Sequence, residues 1–315
     1  MSNMKMTENM YKKLESNASV ILKNYTGEKR EIRAVQNNNW VFITDDQKEP
    51  YMVKFVPEKE AERLEIEKRM YEFIKSNTNI PVPDLLKSGK INYGRYILRE
   101  VVPGESLKSY LKRRKNVKNI LYQAGQILAE MHCIEFENKG LFTPDFSVKK
   151  YEIFSKSEYN SFLNKLYKGK LISKREYSLL DRVDVDYYFD YQNVLCHSDY
   201  SPNNILVKEG SIVSIIDMEW ACSAPFMDDL ASFDLFLELE SLSDAIDSYY
   251  EGYNSVRQVD KFFFENLDFY KFYRLLTMLS YQVAAEDERF DGKFQNSMKK
   301  KFRKILSNSP NFKEL

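Results

Sequence analysis

A chain of 315 residues, 43% of them hydrophobic, can bury a sizeable core and divide into two modest lobes. Its 47 basic side chains are matched by 47 acidic ones, which excludes the strongly basic profile of a general nucleic-acid binder. Cys133, Cys196 and Cys222 have neither C-x-x-C nor metal-ligand spacing and read as buried thiols of a reducing compartment. The N-terminus is polar and no apolar run reaches membrane-spanning length, so a soluble, cytoplasmic protein is expected.

The first third alternates short extended runs with turn chemistry. Residues 31–35, Trp40 to Thr44 and Tyr51 to Val56 read as strands, separated by Gln36-Asn37-Asn38-Asn39 and Asp45-Asp46-Gln47-Lys48. Residues 58–75 change to helical period, with Leu64, Met70, Phe73 and Ile74 apolar among charged neighbours. Pro81-Val82-Pro83 imposes an extended exit, because proline disfavours a helical predecessor. Strands over 85–89 and 96–102 follow, with Asn92-Tyr93-Gly94 turning between them. Beyond Pro103-Gly104 the pattern is mostly helical, as at 118–133 and from about 228 to the end. The expected fold is α+β and bilobal: residues 1–102 form an antiparallel sheet lobe with one main helix, and residues 103–315 a larger, mostly helical lobe. The crevice between lobes is the natural ligand site.

The strongest chemical signal lies in the second lobe. His197-Ser198-Asp199-Tyr200-Ser201-Pro202-Asn203-Asn204 reads H-x-D-x-x-x-x-N, and Asp217 follows it. Phosphoryl transfer from ATP needs one carboxylate for the acceptor hydroxyl, and a carbonyl oxygen and second carboxylate to hold Mg²⁺ against the phosphates. An apolar strand precedes the motif, Asn204 opens another, and Ile212 to Ile216 delivers Asp217. A hairpin between the last two strands would bring Asn204 and Asp217 to one end. Asp and Asn in loops also make ordinary turns and caps, but the flanking strands and the second acid favour chemistry.

Phosphates also require a cation. Lys54, alone in an apolar strand, suits that task, although an edge-strand lysine facing water has the same pattern. Glu67 on the following helix could pair with it, but the helix also offers Glu60, Glu62, Glu65 and Glu72, most of them explained by surface i,i+4 pairing.

These segments together resemble the aminoglycoside phosphotransferase and choline kinase family, small-molecule kinases with a protein-kinase-like fold. The resemblance runs from about residue 30 to beyond 250. Tyr51-Met52-Val53-Lys54 resembles its lysine strand, and Glu67 its helix glutamate ahead of the P-x-P exit. Residues 98–107 resemble the hinge, and Leu128-Ala129-Glu130-Met131-His132 a helix end of the family. The core likeness is Cys196 to Leu206, Ile216-Asp217-Met218-Glu219-Trp220 and Pro225 to Ala231. Two departures stand out: Ser198 replaces the usual glycine of H-G-D, and the phosphate-covering loop, Gln36 to Asn39, has no glycine. Asparagine tolerates left-handed geometry, so Asn39 stays a candidate nucleotide contact.

The resemblance implies that Asp199 receives the hydroxyl proton, that Asn204 and Asp217 hold Mg²⁺, and that Lys54, fixed by Glu67, meets the phosphates of ATP or GTP. It also implies that backbone groups of Glu100 and Val102 bind the purine edge and that His197 orients the loop. Glu219 faces the side of Asp217 if the segment is a strand, and touches a second metal, a cationic substrate or a structural partner. His132 packs or caps. Asp228, Asp229, Asp234, Glu238 and Glu240, with Glu286-Asp287-Glu288 further on, are candidate contacts for a cationic acceptor; the alternatives are acids facing water and a cap by Asp228-Asp229. The expected acceptor is a hydroxylated small molecule, an aminoglycoside or related amino sugar. A metabolic kinase for choline, homoserine or a sugar is the alternative, followed by a nucleotide-binding pseudokinase. The basic run Lys299 to Lys304 reads as a solvated helix face, and no membrane or nucleic-acid partner is expected.

Overall fold

The computed structural model describes residues 8–35, 40–44, 50–113, 117–285, 292–309 and 312. The chain opens with a helix, α1 (Glu8–Thr26), followed by β1 (Ile32–Val35), β2 (Trp40–Thr44) and β3 (Tyr51–Pro57). Next come α2 (Ala61–Asn77), β4 (Leu85–Ile91) and β5 (Gly94–Glu100). The five strands form one antiparallel sheet in the order β1-β2-β3-β5-β4. Lys54 therefore lies on the central strand, paired with Val41 on one side and Ile97 on the other, and the edge-strand alternative falls away.

Strand alternation sorts the two faces of β3. Val53 and Phe55 pack with Leu14, Ala18 and Leu22 of α1, whose spacing makes one apolar stripe. Val56, on the side of Lys54, packs with Leu64 of α2 and Ile97. Among the described residues the front third thus carries two long helices where the sequence suggested one; α1, rich in Lys, Glu and Asn, announces itself only by that narrow stripe.

The second region begins with β6 (Glu105–Ser106), α3 (Leu107–Arg113) and α4 (Lys118–His132), then β7 (Glu135–Phe136), β8 (Gly140–Phe142) and β9 (Val148–Lys150). Helices α5 (Lys156–Lys168), α6 (Lys174–Leu180) and α7 (Val185–Tyr188) lead to β10 (Asn193–Cys196), β11 (Ile205–Lys208), β12 (Ser211–Ile215) and β13 (Cys222–Pro225). The elements described after β13 are all helices: α8 (Met227–Leu239), α9 (Ile246–Asn254), α10 (Lys261–Glu265), α11 (Leu267–Ala285) and α12 (Gly292–Asn308). The expected hairpin is present: β11 and β12 pair antiparallel with Ile205 opposite Ile215, and β10 pairs separately with β13 and β7.

Helix α8 is buried nearly all round, with Leu230, Ala231, Phe233 and Leu235 fully enclosed. A helix buried on nearly every face belongs in the middle of a core, and α8 forms the floor beneath the segment His197 to Asn204. Helices α4 and α9 approach so closely that a Cβ on Gly125 would lie 2.0 Å from the Tyr249 carbonyl oxygen, and one on Gly252 2.0 Å from that of Tyr122. Through this packing α4 reaches the loop, because the Tyr200 hydroxyl donates to the Ala124 carbonyl at 2.8 Å. Among the described residues no helix is long and apolar enough to cross a membrane.

Candidate active site

Lys54 is 3% exposed and its Nζ meets three carboxylates: Glu67 at 2.7 Å, Glu219 at 3.0 Å and Asp217 at 3.6 Å. Burial works against its charge, but Glu67, Glu219 and Asp217 together outweigh burial and hold the ammonium above its ordinary pKa. Glu67, itself 1% exposed, is pushed up by burial against the opposing pull of Lys54. Its second oxygen accepts from the Tyr71 hydroxyl at 2.9 Å, and that hydroxyl accepts the Asp217 N–H at 2.9 Å. A continuous chain thus runs from the sheet through α2 to the segment after β12. Tyr71 was not among the expected residues; its one sequence signal is its place four residues after Glu67, on the same helix face.

Asp217 takes a left-handed backbone conformation (φ 61°, ψ 53°) and opens a 3₁₀ turn, Met218–Trp220. The strand reading that aligned Asp217 with Glu219 is therefore corrected. The two carboxylates converge on Lys54 because the chain turns, not because a strand alternates. Trp220 at the end of the turn lies under the Arg63 guanidinium of α2, 3.8 Å from the ring centroid, which adds a cation–π contact between the two regions.

The H-x-D-x-x-x-x-N segment connects β10 to β11. Asn204 donates through Nδ2 to both the carbonyl and Oδ2 of Asp199, each at 2.9 Å, which turns its own carbonyl oxygen away from that acid. The Ile216 N–H donates to the Asn204 backbone carbonyl at 2.9 Å, one step beyond the Ile205–Ile215 pair. Asn204 and Asp217 are thereby held at one end of the hairpin. The Asp199 side chain is 41% exposed, and that of Asp217 40%. The protein mass around Asp199 raises its pKa, opposed first by Arg274 and then by His197 and Asn204.

His197 is fully buried, and its tautomer follows from its partners. Nε2 donates to the Ile216 carbonyl at 3.0 Å, while Nδ1 accepts the Asp199 N–H at 3.2 Å. A ring so engaged is a scaffold that ties the loop to the hairpin. Asp229 supports the loop from beneath: its two oxygens accept the N–H groups of His197 at 2.6 Å and Ser198 at 2.8 Å. Burial opposes that charge, but His132 and the donated N–H groups more than offset it and keep the carboxyl below the usual range. His132 is packed inside, with Nδ1 2.8 Å from the Tyr253 hydroxyl and Nε2 3.5 Å from Asp229.

The remaining acids are dispersed. Asp228 is buried and faces Arg274 at 3.4 Å; burial pushes its carboxyl up to about 6. Asp234 meets Lys271 at 2.7 Å and the Tyr250 hydroxyl at 2.7 Å. Glu238 pairs with Lys271 at 2.9 Å and also with Lys301, while Glu240 pairs with Lys108 and Lys112. Asp229 is thus taken up by the loop, and Asp234 and Glu238 by lysines of α11 and α12. Asp228, Asp229 and Asp234 are buried and Glu238 is partly exposed, and none of them caps α8, whose N-cap position is Phe226 with no side-chain cap. Asn39 and Glu286-Asp287-Glu288 lie outside the described residues, as does the rest of the Gln36–Asn39 loop.

At the hinge, the Val101 N–H turns back to the Pro50 carbonyl at 2.8 Å. In extended chain the flanking residues point the opposite way, so Glu100 and Val102 present their backbone groups away from β3. The oxygen donors gathered here suit a hard cation: the turned-out Asn204 carbonyl and the Asp217 carboxylate are the ligand types that Mg²⁺ takes. Three carboxylates around one ammonium also leave an excess of negative charge for such a cation to neutralise.

An antiparallel five-stranded sheet with a lysine–glutamate pair, set against a helical region bearing an acid–amide loop and a second acid, defines a protein-kinase-like phosphotransferase fold. The phosphotransferase enzyme family (APH) matches residues 30–262, and the chain belongs to it: it is a small-molecule phosphotransferase. No protein of curated function matches it in sequence. Among solved structures it is similar to a thermostable mutant of aminoglycoside phosphotransferase APH(4)-Ia in ternary complex with AMP-PNP and hygromycin B. That likeness has a TM-score of 0.70 at 13% identity and covers 92% of this chain and 98% of the other. It is also similar to a GDP complex of an aminoglycoside 2'-phosphotransferase-IIIa mutant (TM-score 0.69, 13% identity, 94% and 96% covered). A third is a putative fructosamine-3-kinase from Haemophilus somnus 129PT (TM-score 0.63, 16% identity, 92% and 96% covered). At such identities the likeness establishes the fold.

Proposed function

We propose that this chain transfers the γ-phosphoryl group of ATP or GTP to a hydroxyl of a small molecule, with an aminoglycoside or related amino sugar as the acceptor class. The observation that carries the reading is the convergence of Lys54, Asp217, Asn204 and Asp199 from distant parts of the chain. Residues 1–102 then serve as the nucleotide lobe and residues 103–315 as the catalytic and acceptor lobe.

Lys54, held by Glu67 and Glu219, offers a compact charge to the nucleotide phosphates. Backbone groups of Glu100 and Val102 receive the purine edge. Mg²⁺, when bound, neutralises phosphate charge, and the Asn204 carbonyl and Asp217 carboxylate are the residues that would hold it. Asp199, open to the cleft and steadied by Asn204, accepts the hydroxyl proton from the acceptor. His197 takes no proton in this scheme, because both ring nitrogens are committed to the backbone.

The amino-sugar assignment draws on the nucleotide and hygromycin B complex of the similar APH(4)-Ia. The alternative, a metabolic sugar kinase, is favoured by the likeness to the putative fructosamine-3-kinase and by the internal pairing of Asp228, Asp234 and Glu238, which removes free acids from a cation-binding role. Purified protein assayed with ATP and Mg²⁺ against aminoglycosides, amino sugars, sugars, choline and homoserine tests both. ADP release tied to phosphorylation of one aminoglycoside is expected. Transfer to a neutral sugar alone moves the acceptor to the second reading, and no transfer to any hydroxyl compound contradicts the function.

A further inference from the structure

Ser198 occupies the left-handed region at φ 63°, where a side chain crowds the neighbouring carbonyl. Its peptide groups are held from both sides. The Ser198 N–H donates to Asp229 of α8 at 2.8 Å, and its carbonyl accepts from Nη2 of Arg274 on α11 at 3.1 Å. Its Oγ rests 3.0 Å from Cys222 Sγ. Arg274 is itself fixed by Asp228, 3.4 Å from Nη1, and its Nη2 lies 3.6 Å from the nearer Asp199 oxygen. Rotation of Ser198 into the right-handed region would swing the N–H away from Asp229 and the carbonyl away from Arg274 together.

We propose that Arg274 is a positioning residue, which holds the Ser198 peptide in its left-handed bend and so keeps Asp199 directed into the cleft. The proposal rests on the kinase reading for what the loop does, and on the geometry alone for how the loop is held. Arg274 lies beyond residue 262, where the family match ends, so the clamp comes from a helix outside the matched segment. Two nitrogens of one planar fork serve two acceptors, Asp228 and the Ser198 carbonyl, a task that the single ammonium of a lysine cannot repeat in the same geometry.

The test is a double-mutant cycle between Arg274 and Ser198, read in kcat, in KM for ATP and in melting temperature. Glycine enters the left-handed region without crowding, so a loop carrying it needs the clamp less. Arg274→Met is expected to lower kcat by ~100-fold, the scale of a small misplacement of a reacting group, with KM for ATP little changed. In the Ser198→Gly background the same substitution should cost ~10-fold or less, the difference being the coupling of two residues in contact. Arg274→Lys should recover only part of the loss. Because Arg274→Met leaves Asp228 buried without its cation, Arg274→Met/Asp228→Asn is measured beside it to separate misfolding from misplacement. In melting temperature, Ser198→Gly should stabilise the Arg274→Met protein more than it stabilises the wild type. Equal kcat losses in both backgrounds, full kcat in Arg274→Met, or additive melting shifts would each overturn the clamp. If the wild type transfers phosphate to no hydroxyl compound, the functional reading fails while the melting cycle still decides the clamp.

Discussion

Lys54 is surrounded by side chains that reach it, whereas Asp199 is aimed by contacts that grip the backbone on either side of it. On the sheet side of the cleft, Glu67, Glu219 and Asp217 gather around one ammonium, and Tyr71 links Glu67 to the Asp217 N–H. On the helical side, Asp229, Arg274 and His197 hold N–H and carbonyl groups of residues 197–199 and 216. The sheet side keeps a charge in place by other charges, and the Lys54–Glu67 pair at its centre is buried, so losing one of the two strands the other. The helical side keeps a bend in place and leaves its acid open. Damage to the first should therefore appear in folding and nucleotide use, and damage to the second in turnover.

The largest effect is expected from Lys54→Met. It leaves Glu67, 1% exposed, as a buried carboxylate without its cation, a loss of ~3–5 kcal/mol in unfolding free energy on the scale of broken buried pairs. Urea denaturation measures it, and stability near that of the wild type would break the contrast between the two sides. A smaller loss is expected from Tyr71→Phe, which removes one donor to Glu67 and one acceptor for the Asp217 N–H: ~1–3 kcal/mol, as for a buried group left unpaired. KM for ATP should rise in that variant because Glu67, the partner of Lys54, loses its link to Asp217. An unchanged KM with an equal loss of stability would make Tyr71 a packing residue only.

What could be read from the chain follows the range of the interactions. The motif His197 to Asn204 and the hairpin to Asp217 are local, and short apolar strands with a Glu-Gly-Ser turn between them leave one economical arrangement. Lys54 was legible as a lone lysine in an apolar strand, whereas Glu67 stood among Glu60, Glu62, Glu65 and Glu72 and was singled out by the family resemblance. Tyr71 meets Asp217 and Arg274 meets Ser198 only through the tertiary fold, and nothing near either residue names the partner. An arginine ahead of the largely apolar stretch Leu275 to Leu279 was the available hint, since a charge in an apolar helix calls for a buried counter-charge. The same argument would have corrected Asp229 and Asp234. Acids inside the apolar helix α8 are held by partners, and reading them as free contacts for a cationic acceptor neglected the cost of burying them unpaired.

The central claim is that Asp199 is the acid that receives the acceptor's proton while the sheet side holds the nucleotide independently. Asp199→Ala, assayed for phosphoryl transfer from ATP and for nucleotide binding in the same preparation, tests it most directly. The expected result is a loss of ~10²–10⁴-fold in kcat with ATP binding retained. Turnover within a few-fold of the wild type would contradict the account.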